Sequence, residues 1–242
     1  MDRFVYETHL HTNQASRCGQ LSGAEMARLY HKAGYTGIVI TDHFFNSGSS
    51  FLKDSNLPWT DKVRIFSENF EKSKEIGKNF GIDVFFGFEF RAQGSREQLV
   101  YGVDADFLYS HPDIHQKSVP YLCDAVREYG GVTSLAHPYR EADYIDQTAP
   151  LFAEHCDCIE VYNYYNRDPE WNRKALDLAV KLGKGFTSGS DTHYADKAAF
   201  AGIATEQKIT SEKQFAQAIL SEQTKLIING EIVDKNNLKE VL

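Results

Sequence analysis

The amino-acid sequence predicts an α/β fold, a (β/α) barrel formed by a single domain that covers residues 1–242. Short β-prone segments alternate about seven times with segments of helical periodicity. Residues 37–41 are almost continuously apolar, which suits a parallel strand covered on both faces. The chain is long enough for one large core, and no boundary of a second domain is apparent.

Strands are predicted where short apolar runs are bounded by polar or glycine-containing segments. These runs are residues 4–8, 37–41, 82–87, 98–103, 132–136, 158–162, 185–188, 202–205 and 225–228. Helices are predicted where apolar residues recur at helical spacing. Ser22 and Glu25 form a candidate capping box for the first helix, Asp61 is a candidate N-cap, and Pro169 suits a first helical turn. The predicted helices cover residues 23–33, 61–80, 120–129, 148–156, 169–182 and 211–220.

Composition and charge narrow the class of protein. Hydrophobic residues make up 42% and charged residues 25% of the chain, an ordinary globular balance. The net charge of −8 argues against general nucleic-acid binding. Neither an apolar run of membrane-spanning length nor a signal-peptide pattern is apparent, so we expect a cytoplasmic protein without membrane contact. The four cysteines form no C-x-x-C pair, and neither a zinc knuckle nor a disulfide framework is indicated.

A metal-binding pattern recurs at the ends of predicted strands. His9 and His11 follow the first strand with one residue between them, a spacing that turns both imidazoles to the same side. Asp191 and His193 repeat this spacing near the other end of the chain. An isolated pair is as well explained by two structural histidines, but the repetition favours ligands that converge on metal.

Three further motifs end β-prone runs between these pairs. They are Thr41-Asp42-His43, Gly87-Phe88-Glu89 and Ala136-His137-Pro138. In a (β/α) barrel the C-terminal ends of the strands surround one site. The sequence therefore predicts a metal site assembled from strand ends.

Taken in order, the motifs H-x-H, T-D-H, G-x-E, A-H-P and S-D-x-H resemble the PHP family, named for polymerase and histidinol phosphatase. The resemblance extends from His9 to about Ile228. It implies a distorted (β/α)7 barrel and a site of two or three metal ions that hydrolyses phosphate esters. The implied ligands of the first ion are His9, His11, Glu89 and Asp191. Glu89 would bridge to a second ion held by His137, and His43 and His193 would belong to a third.

The sequence departs from the family pattern in two places. Members with three metals carry a further histidine in the loop after H-x-H, and this chain has Arg17 there. They carry another histidine near the strand that follows the glutamate, and this chain has Gln98 and Tyr101 there. The second and third positions are thus each one ligand short, so we expect two divalent ions. Imidazole-rich sites suit Zn and Fe and carboxylates suit Mn, and the sequence leaves the choice open.

Other residues near the predicted site are candidates for substrate contacts or for orienting ligands. Arg140 and Arg17 could bind a phosphoryl group, although a surface charge is the alternative for each. An arginine cannot ligate a cation, so we expect Arg17 to replace a third ion electrostatically. Asp42 is expected to orient a neighbouring ligand. Residues 44–60 form either a lid or a solvated insertion.

The predicted activity is metal-dependent hydrolysis of a small phosphomonoester, such as histidinol phosphate or a nucleotide. Two alternatives remain open at this point. One is a 3′–5′ exonuclease or oligonucleotide phosphatase, against which the acidic charge counts. The other is an inactive barrel that serves as a metal-binding regulatory module. The sequence does not indicate an oligomeric state.

Overall fold

The computed structural model describes residues 3–242, and within this range ten strands form one sheet. The strands are β1 Phe4–Glu7, β2 Gly37–Ile40, β3 Asp83–Arg91, β4 Glu97–Tyr101, β5 Val132–Leu135, β6 Cys158–Asn163, β7 Gly185–Gly189, β8 Ala201–Thr205, β9 Lys225–Ile228 and β10 Glu231–Val233. Their spatial order is β10-β9-β8-β1-β2-β3-β4-β5-β6-β7. The sheet curls until β7 packs beside β8, and the Ser188 hydroxyl donates to the Ile227 carbonyl at 2.6 Å.

Seven α-helices connect or flank these strands within residues 3–242. They are α1 Gly23–Lys32, α2 Trp59–Phe80, α3 Ala105–Ser110, α4 Val119–Glu128, α5 Pro169–Leu182, α6 Glu212–Leu220 and α7 Leu238–Val241. The capping box of α1 is confirmed, because the Ser22 and Glu25 side chains each accept a backbone N–H of the other. Over the same range, every helix is too short or too polar to cross a membrane.

Strand direction shows why the barrel is distorted. Strands β1, β2 and β3 are parallel, and so are β5, β6 and β7. Strand β4 runs antiparallel to both of its neighbours, and β8 runs antiparallel to β1. The predicted α/β fold and distorted barrel are confirmed. Because β4 is reversed, its first residue, Glu97, lies at the edge where the parallel strands end.

Three predicted elements differ from the structure. Helix α2 begins at Trp59 after Pro58, so Asp61 is not its N-cap and lies instead in its first turn. Residues 148–156 form turns rather than a helix. Pro150 disfavours helical backbone at the residue before it, and Phe152 has a left-handed φ of 57°. Strand β3 continues to Arg91, which places Glu89 inside the strand.

The segment between β2 and α2 is anchored at its start by aromatic packing. Phe44 and Phe45 are buried, and their stacked rings lie 4.3 Å apart. Phe44 also stacks on Phe88 of β3. The rings of Phe44 and Phe45 each contact Trp59 edge-on. Burial of such rings contributes roughly 1.5–3 kcal/mol each. The beginning of residues 44–60 is therefore part of the core.

Candidate metal centre

All seven side chains predicted as metal ligands converge at one edge of the sheet. Each leaves the end of a parallel strand or the last residues of β3, in the order His9, His11, His43, Glu89, His137, Asp191 and His193. All are buried except His193, whose side chain is 14% exposed. Within residues 3–242, four sets of three potential ligands have their ligand atoms within 4.8 Å of one another. Those sets are His11–His43–His193, His9–His11–Glu89, His9–His137–Asp191 and His43–Glu89–Glu97.

The tautomer of His9 is set by a carboxylate behind it. His9 Nδ1 lies 2.9 Å from Glu160 Oε1, and a neutral imidazole that donates there has a lone pair on Nε2. That Nε2 lies 3.2 Å from His11 Nε2, 3.3 Å from Glu89 Oε1 and 3.4 Å from Asp191 Oδ1. Electron-pair donors so close together repel one another unless a proton or a cation lies among them. These residues fit a divalent metal ion.

Glu89 lies between two such groups. Its Oε1 is 3.3 Å from His137 Nε2 and its Oε2 is 2.8 Å from His43 Nδ1. The contact with His43 lacks hydrogen-bond geometry, and both atoms are buried without a hydrogen-bond partner. Glu97 completes this side, with Oε1 3.7 Å from His43 Nδ1 and Oε2 3.6 Å from His137 Nε2. A carboxylate with one oxygen toward each group suits a bridging ligand.

Glu97 was not among the predicted site residues. The family resemblance implies a histidine near the fourth predicted strand, where the chain has Gln98 and Tyr101. The structure places a carboxylate there instead, one residue earlier. A charged residue directly before an apolar strand was the available signal, but its relevance depended on the reversed direction of β4.

A third group of imidazoles lies beside the first two. The ring of His11 stacks on His43 and His193 with centroid distances of 4.3 Å and 4.5 Å. His11 Nδ1 is buried without a hydrogen-bond partner. Burial and the neighbouring imidazoles hold the pKa of His11 well below its usual range, so the ring is neutral and able to act as a ligand.

The charges within the cluster shift the pKa values of its members. Burial opposes the protonated form of His9, but Asp191 and Glu160 outweigh it and raise its pKa well above the usual range. Burial likewise opposes ionisation of Asp191, yet His9 and Arg140 hold its pKa well below the usual range. Burial and the nearby Glu89 charge raise the pKa of Glu97. The cluster thus holds more carboxylate charge than its own cations easily neutralise.

Two ligand candidates have strained backbones. His137 has a φ of 26° and Asp191 a φ of 52°, both in the left-handed region. The amide of His137 donates to Glu160 Oε2 at 2.9 Å, which helps to hold its conformation. Strain of this kind persists only where surrounding contacts determine the position, and it is concentrated at functional sites.

Glu7 is a second buried carboxylate behind the cluster. Its Oε1 accepts the amides of His9 at 3.0 Å and Ser190 at 2.9 Å, and its Oε2 accepts the Tyr30 hydroxyl at 2.6 Å. Burial raises the pKa of Glu7. The side chain therefore ties β1 to the segment after β7, so that the two i, i+2 motifs lie side by side. A charged residue inside an otherwise apolar strand was the sequence signal for this role.

Asp42 lies behind His43 among loop donors. One oxygen accepts the Thr12 amide at 2.6 Å and the Ser16 hydroxyl at 2.7 Å, and the other accepts the Thr12 hydroxyl at 2.6 Å. Ser16 Oγ in turn accepts the His43 amide at 2.9 Å. These contacts join the loop after H-x-H to the residue that follows β2. They agree in geometry with the expected orienting role, which stays a prediction.

Arg140 reaches the cluster from the loop after β5. Nη1 donates to Asp191 Oδ2 at 2.6 Å, Nη2 to Asn163 Oδ1 at 2.8 Å and Nε to Asn166 Oδ1 at 3.1 Å. The side chain is 11% exposed and lines the cavity above the cluster. Its position suits contact with an anionic substrate, although its direct partner in the structure is a ligand candidate.

Arg17 was expected beside His43 and His193, but its side chain points away from them. It is exposed, its Nε donates to the Ser50 carbonyl at 3.3 Å, and its guanidinium lies over the Phe51 ring at 5.3 Å. The neighbour of the imidazoles is Cys18: despite its burial, hydrogen bonding with His193 and His43 lowers its pKa to about 7. The expectation that a guanidinium replaces a third ion is therefore corrected, because an irregular loop turns adjacent side chains in different directions.

A cavity of about 380 Å³ opens above the cluster. Besides the ligand candidates, its walls include Cys18, Ser49, Arg91, Arg140 and Tyr144. Its size suits a small molecule. Solvent or substrate can therefore reach the otherwise buried ligand atoms.

Comparison with known proteins supports the resemblance inferred from the motifs. Residues 169–224 match the family model described as PHP-associated. No curated protein matches the sequence. PsfC from Pseudomonas syringae PB-5123 has a similar structure, with a TM-score of 0.64 and 19% identity over 94% of this chain and 92% of PsfC.

Two other solved structures share the fold. A two-domain protein from Bacteroides vulgatus that contains a predicted PHP-like metal-dependent phosphoesterase aligns with a TM-score of 0.67 and 15% identity, over 99% of this chain and 68% of that protein. Endonuclease Q from Pyrococcus furiosus, described as lesion-specific, aligns with a TM-score of 0.60 and 11% identity, over 93% of this chain and 58% of the endonuclease. The family model over residues 169–224 and the shared fold over nearly the whole chain confirm the resemblance to the PHP family.

Proposed function

We propose that this protein is a metal-dependent phosphoesterase that hydrolyses a small phosphomonoester, such as histidinol phosphate or a nucleotide. The observation that carries the proposal is the position of Glu89, with one oxygen directed toward His9 and His137 and the other toward His43. The first group would be completed by Asp191 and the second by Glu97. The shared PHP-like fold is consistent with this class of reaction.

The residues divide the required chemistry among them. Divalent ions bound by these ligands would supply a nucleophile from water at neutral pH and neutralise charge on the phosphoryl group. Arg140 offers a fixed positive charge at the wall of the cavity, where it can orient a phosphoryl oxygen. Glu160 holds the His9 ring in the tautomer that directs a lone pair inward. The cavity admits a substrate of small-molecule size.

The two alternatives have less support. The net charge of −8 opposes approach of a long polyanion, which weighs against a nuclease. A regulatory barrel without catalysis was suggested by two missing ligands, but Glu97 supplies a carboxylate at one of those positions. The first argument favours a small substrate over a polynucleotide, and the second favours a metal-dependent enzyme over an inactive barrel.

The test combines metal analysis with phosphate release. Purified protein is assayed for Zn, Mn and Fe by mass spectrometry and for turnover of a panel of phosphomonoesters, before and after chelation. We expect bound metal, turnover, and loss of turnover on chelation that added metal restores. Glu89→Gln should abolish turnover, whereas Glu154→Gln, at an exposed position, should not. Full turnover after complete metal removal would refute the proposal, and bound metal without any turnover would favour the regulatory barrel.

A further inference from the structure

A second cavity of about 460 Å³ adjoins the metal centre. Arg140 and Tyr144 line both cavities, so the two share a wall. The remaining wall of the second cavity includes Tyr165 and Trp171. A space lined by three aromatic side chains therefore lies directly beside the cavity of the metal centre.

The aromatic surface begins directly beside the metal ligands. The Tyr165 ring lies 5.6 Å from the His193 ring, centroid to centroid. The Arg140 guanidinium carbon lies 5.8 Å from the Tyr165 ring centroid, while the same guanidinium holds Asp191. Trp171 lies in the first turn of α5 and is partly buried. The Tyr165 ring is thus a direct neighbour of both a candidate ligand and Arg140.

Tyr144 is a large aromatic residue that the core does not use. It is 58% exposed, and the Arg91 guanidinium lies over its ring at 5.4 Å. An aromatic face left open to a cavity gains free energy when a flat ring stacks on it. Because the Arg91 guanidinium lies over this ring and Arg140 lines the same cavity, the site favours a planar, electron-rich group.

Charge limits how large the ligand can be. Glu141 and Asp143 also line the second cavity, and both are exposed. Their carboxylates repel further phosphates along a polynucleotide chain. Arg167, on the same cavity, offers one compensating charge. The electrostatics therefore suit a ligand with one phosphate at the metal centre and an uncharged ring.

We propose that Tyr144, Tyr165 and Trp171 form an aromatic pocket that binds the base of a nucleoside monophosphate, whose phosphate reaches the metal centre. This inference rests on the proposed function and narrows its substrate class. The pocket gives preference to nucleotides over aliphatic phosphomonoesters, because the stacking contact is available only to a substrate with a planar ring.

The first test compares kcat/KM for adenosine monophosphate and glycerol phosphate with metal-loaded protein. We expect the nucleotide to be preferred by roughly 5- to 100-fold, the range of one base–aromatic stacking contact. Tyr165→Leu and Trp171→Leu should each reduce this preference severalfold. Tyr121→Leu, at an exposed aromatic position on α4, is the matched control and should keep it.

The second test measures binding without turnover. Adenosine, which has no phosphate to hydrolyse, should quench tryptophan fluorescence of the metal-loaded protein saturably, and Trp171→Leu should lose the quenching while Trp59→Phe keeps it. Equal kcat/KM for both substrates, insensitive to these variants, overturns the aromatic pocket and leaves the proposed function intact. Quenching at Trp171 without hydrolysis of any phosphomonoester supports the pocket and contradicts the proposed function. Neither quenching nor hydrolysis overturns both.

Discussion

Nη1 of Arg140 donates a 2.6 Å hydrogen bond to Oδ2 of Asp191, and both side chains are nearly buried. The aspartate has a left-handed backbone, a strained conformation that persists only where surrounding contacts hold it. The arginine thus positions a ligand candidate and also presents a charge to the cavity. Its two asparagine partners, Asn163 and Asn166, hold the guanidinium plane in place.

Arg140→Ala is expected to raise KM and to lower kcat/KM. The lost transition-state stabilisation should be about 1.5–3 kcal/mol, the value of a hydrogen bond to a charged group. The metal content should be unchanged, because the imidazoles and Glu89 remain. Steady-state kinetics with a phosphomonoester and metal analysis check both statements. Arg64→Ala, an exposed arginine on α2, is the control. Unaltered kinetics in Arg140→Ala would show that the guanidinium does not contact substrate.

Glu97→Gln separates a metal ligand from a structural carboxylate. Burial and Glu89 raise the pKa of Glu97, so the amide should leave the Tm of the metal-free protein unchanged or higher. If Glu97 binds metal, the variant should lose apparent metal affinity by at least roughly 10- to 100-fold, which is the cost of removing even an outer-shell partner of a ligand. Calorimetric titration with Zn or Mn, and Tm with and without metal, measure these effects. A wild-type metal response in Glu97→Gln would remove Glu97 from the ligand set.

Metal binding should strengthen as pH rises. Burial opposes protonation of His9 and His43, but the surrounding carboxylates, Asp191 and Glu160 for His9 and Glu89 for His43, raise both pKa values well above 6.5. In the metal-free protein, the protonated imidazoles contribute to the free energy of unfolding. This contribution is complete below pH 6.5 and is lost as pH rises through the raised pKa values. A bound ion must displace these protons, so apparent affinity should increase by about one to two decades per pH unit. Calorimetry in buffers of different ionisation enthalpy counts the released protons, and a pH-independent affinity would contradict the expectation.

Cys18 should be the most reactive thiol of the chain. Although burial raises its pKa, hydrogen bonding with His193 and His43 lowers it to about 7, so a much larger fraction is thiolate at neutral pH than in an ordinary cysteine. Cys123, Cys156 and Cys158 are buried. Iodoacetamide at pH 7 should therefore label one thiol rapidly, and Cys18→Ser should remove this fast phase. Protection by added metal would place the ion beside the thiol, whereas a fast phase that survives the substitution would contradict the assignment.

The convergence of the predicted ligands was visible in the sequence because it depends on local rules. An i, i+2 pair at a strand end places His9 beside His11 whatever the rest of the chain does. The apolar runs and the polar residues that follow them also indicated a barrel with its candidate site at the C-terminal ends of the strands. Glu89 was predicted at the end of a strand and lies inside a longer one, yet it reaches the same cluster.

Features that depend on chain direction or on loop geometry were not predicted. The apolar pattern of β4 does not indicate whether the strand runs parallel or antiparallel to its neighbours. Its first residue, Glu97, could therefore not be placed at the edge of the sheet that carries the candidate site. The loop after His11 contains Arg17 and Cys18 as neighbours, and sequence spacing does not say which of two adjacent side chains points inward. The aromatic pocket likewise joins residues from separate loops and α5.

The sequence alone determined the alternation of strands and helices and the edge that carries the candidate site, because periodicity and strand-end position are properties of neighbouring residues. The resemblance to the PHP family added the seven imidazole and carboxylate side chains that are candidate ligands. Only the tertiary structure decided that Glu97 lies among those candidate ligands, that Cys18 and not Arg17 lies beside the imidazoles, and that Arg140 contacts Asp191. These three depend on contacts between segments distant in the chain, whose distances are set by how the curled sheet closes.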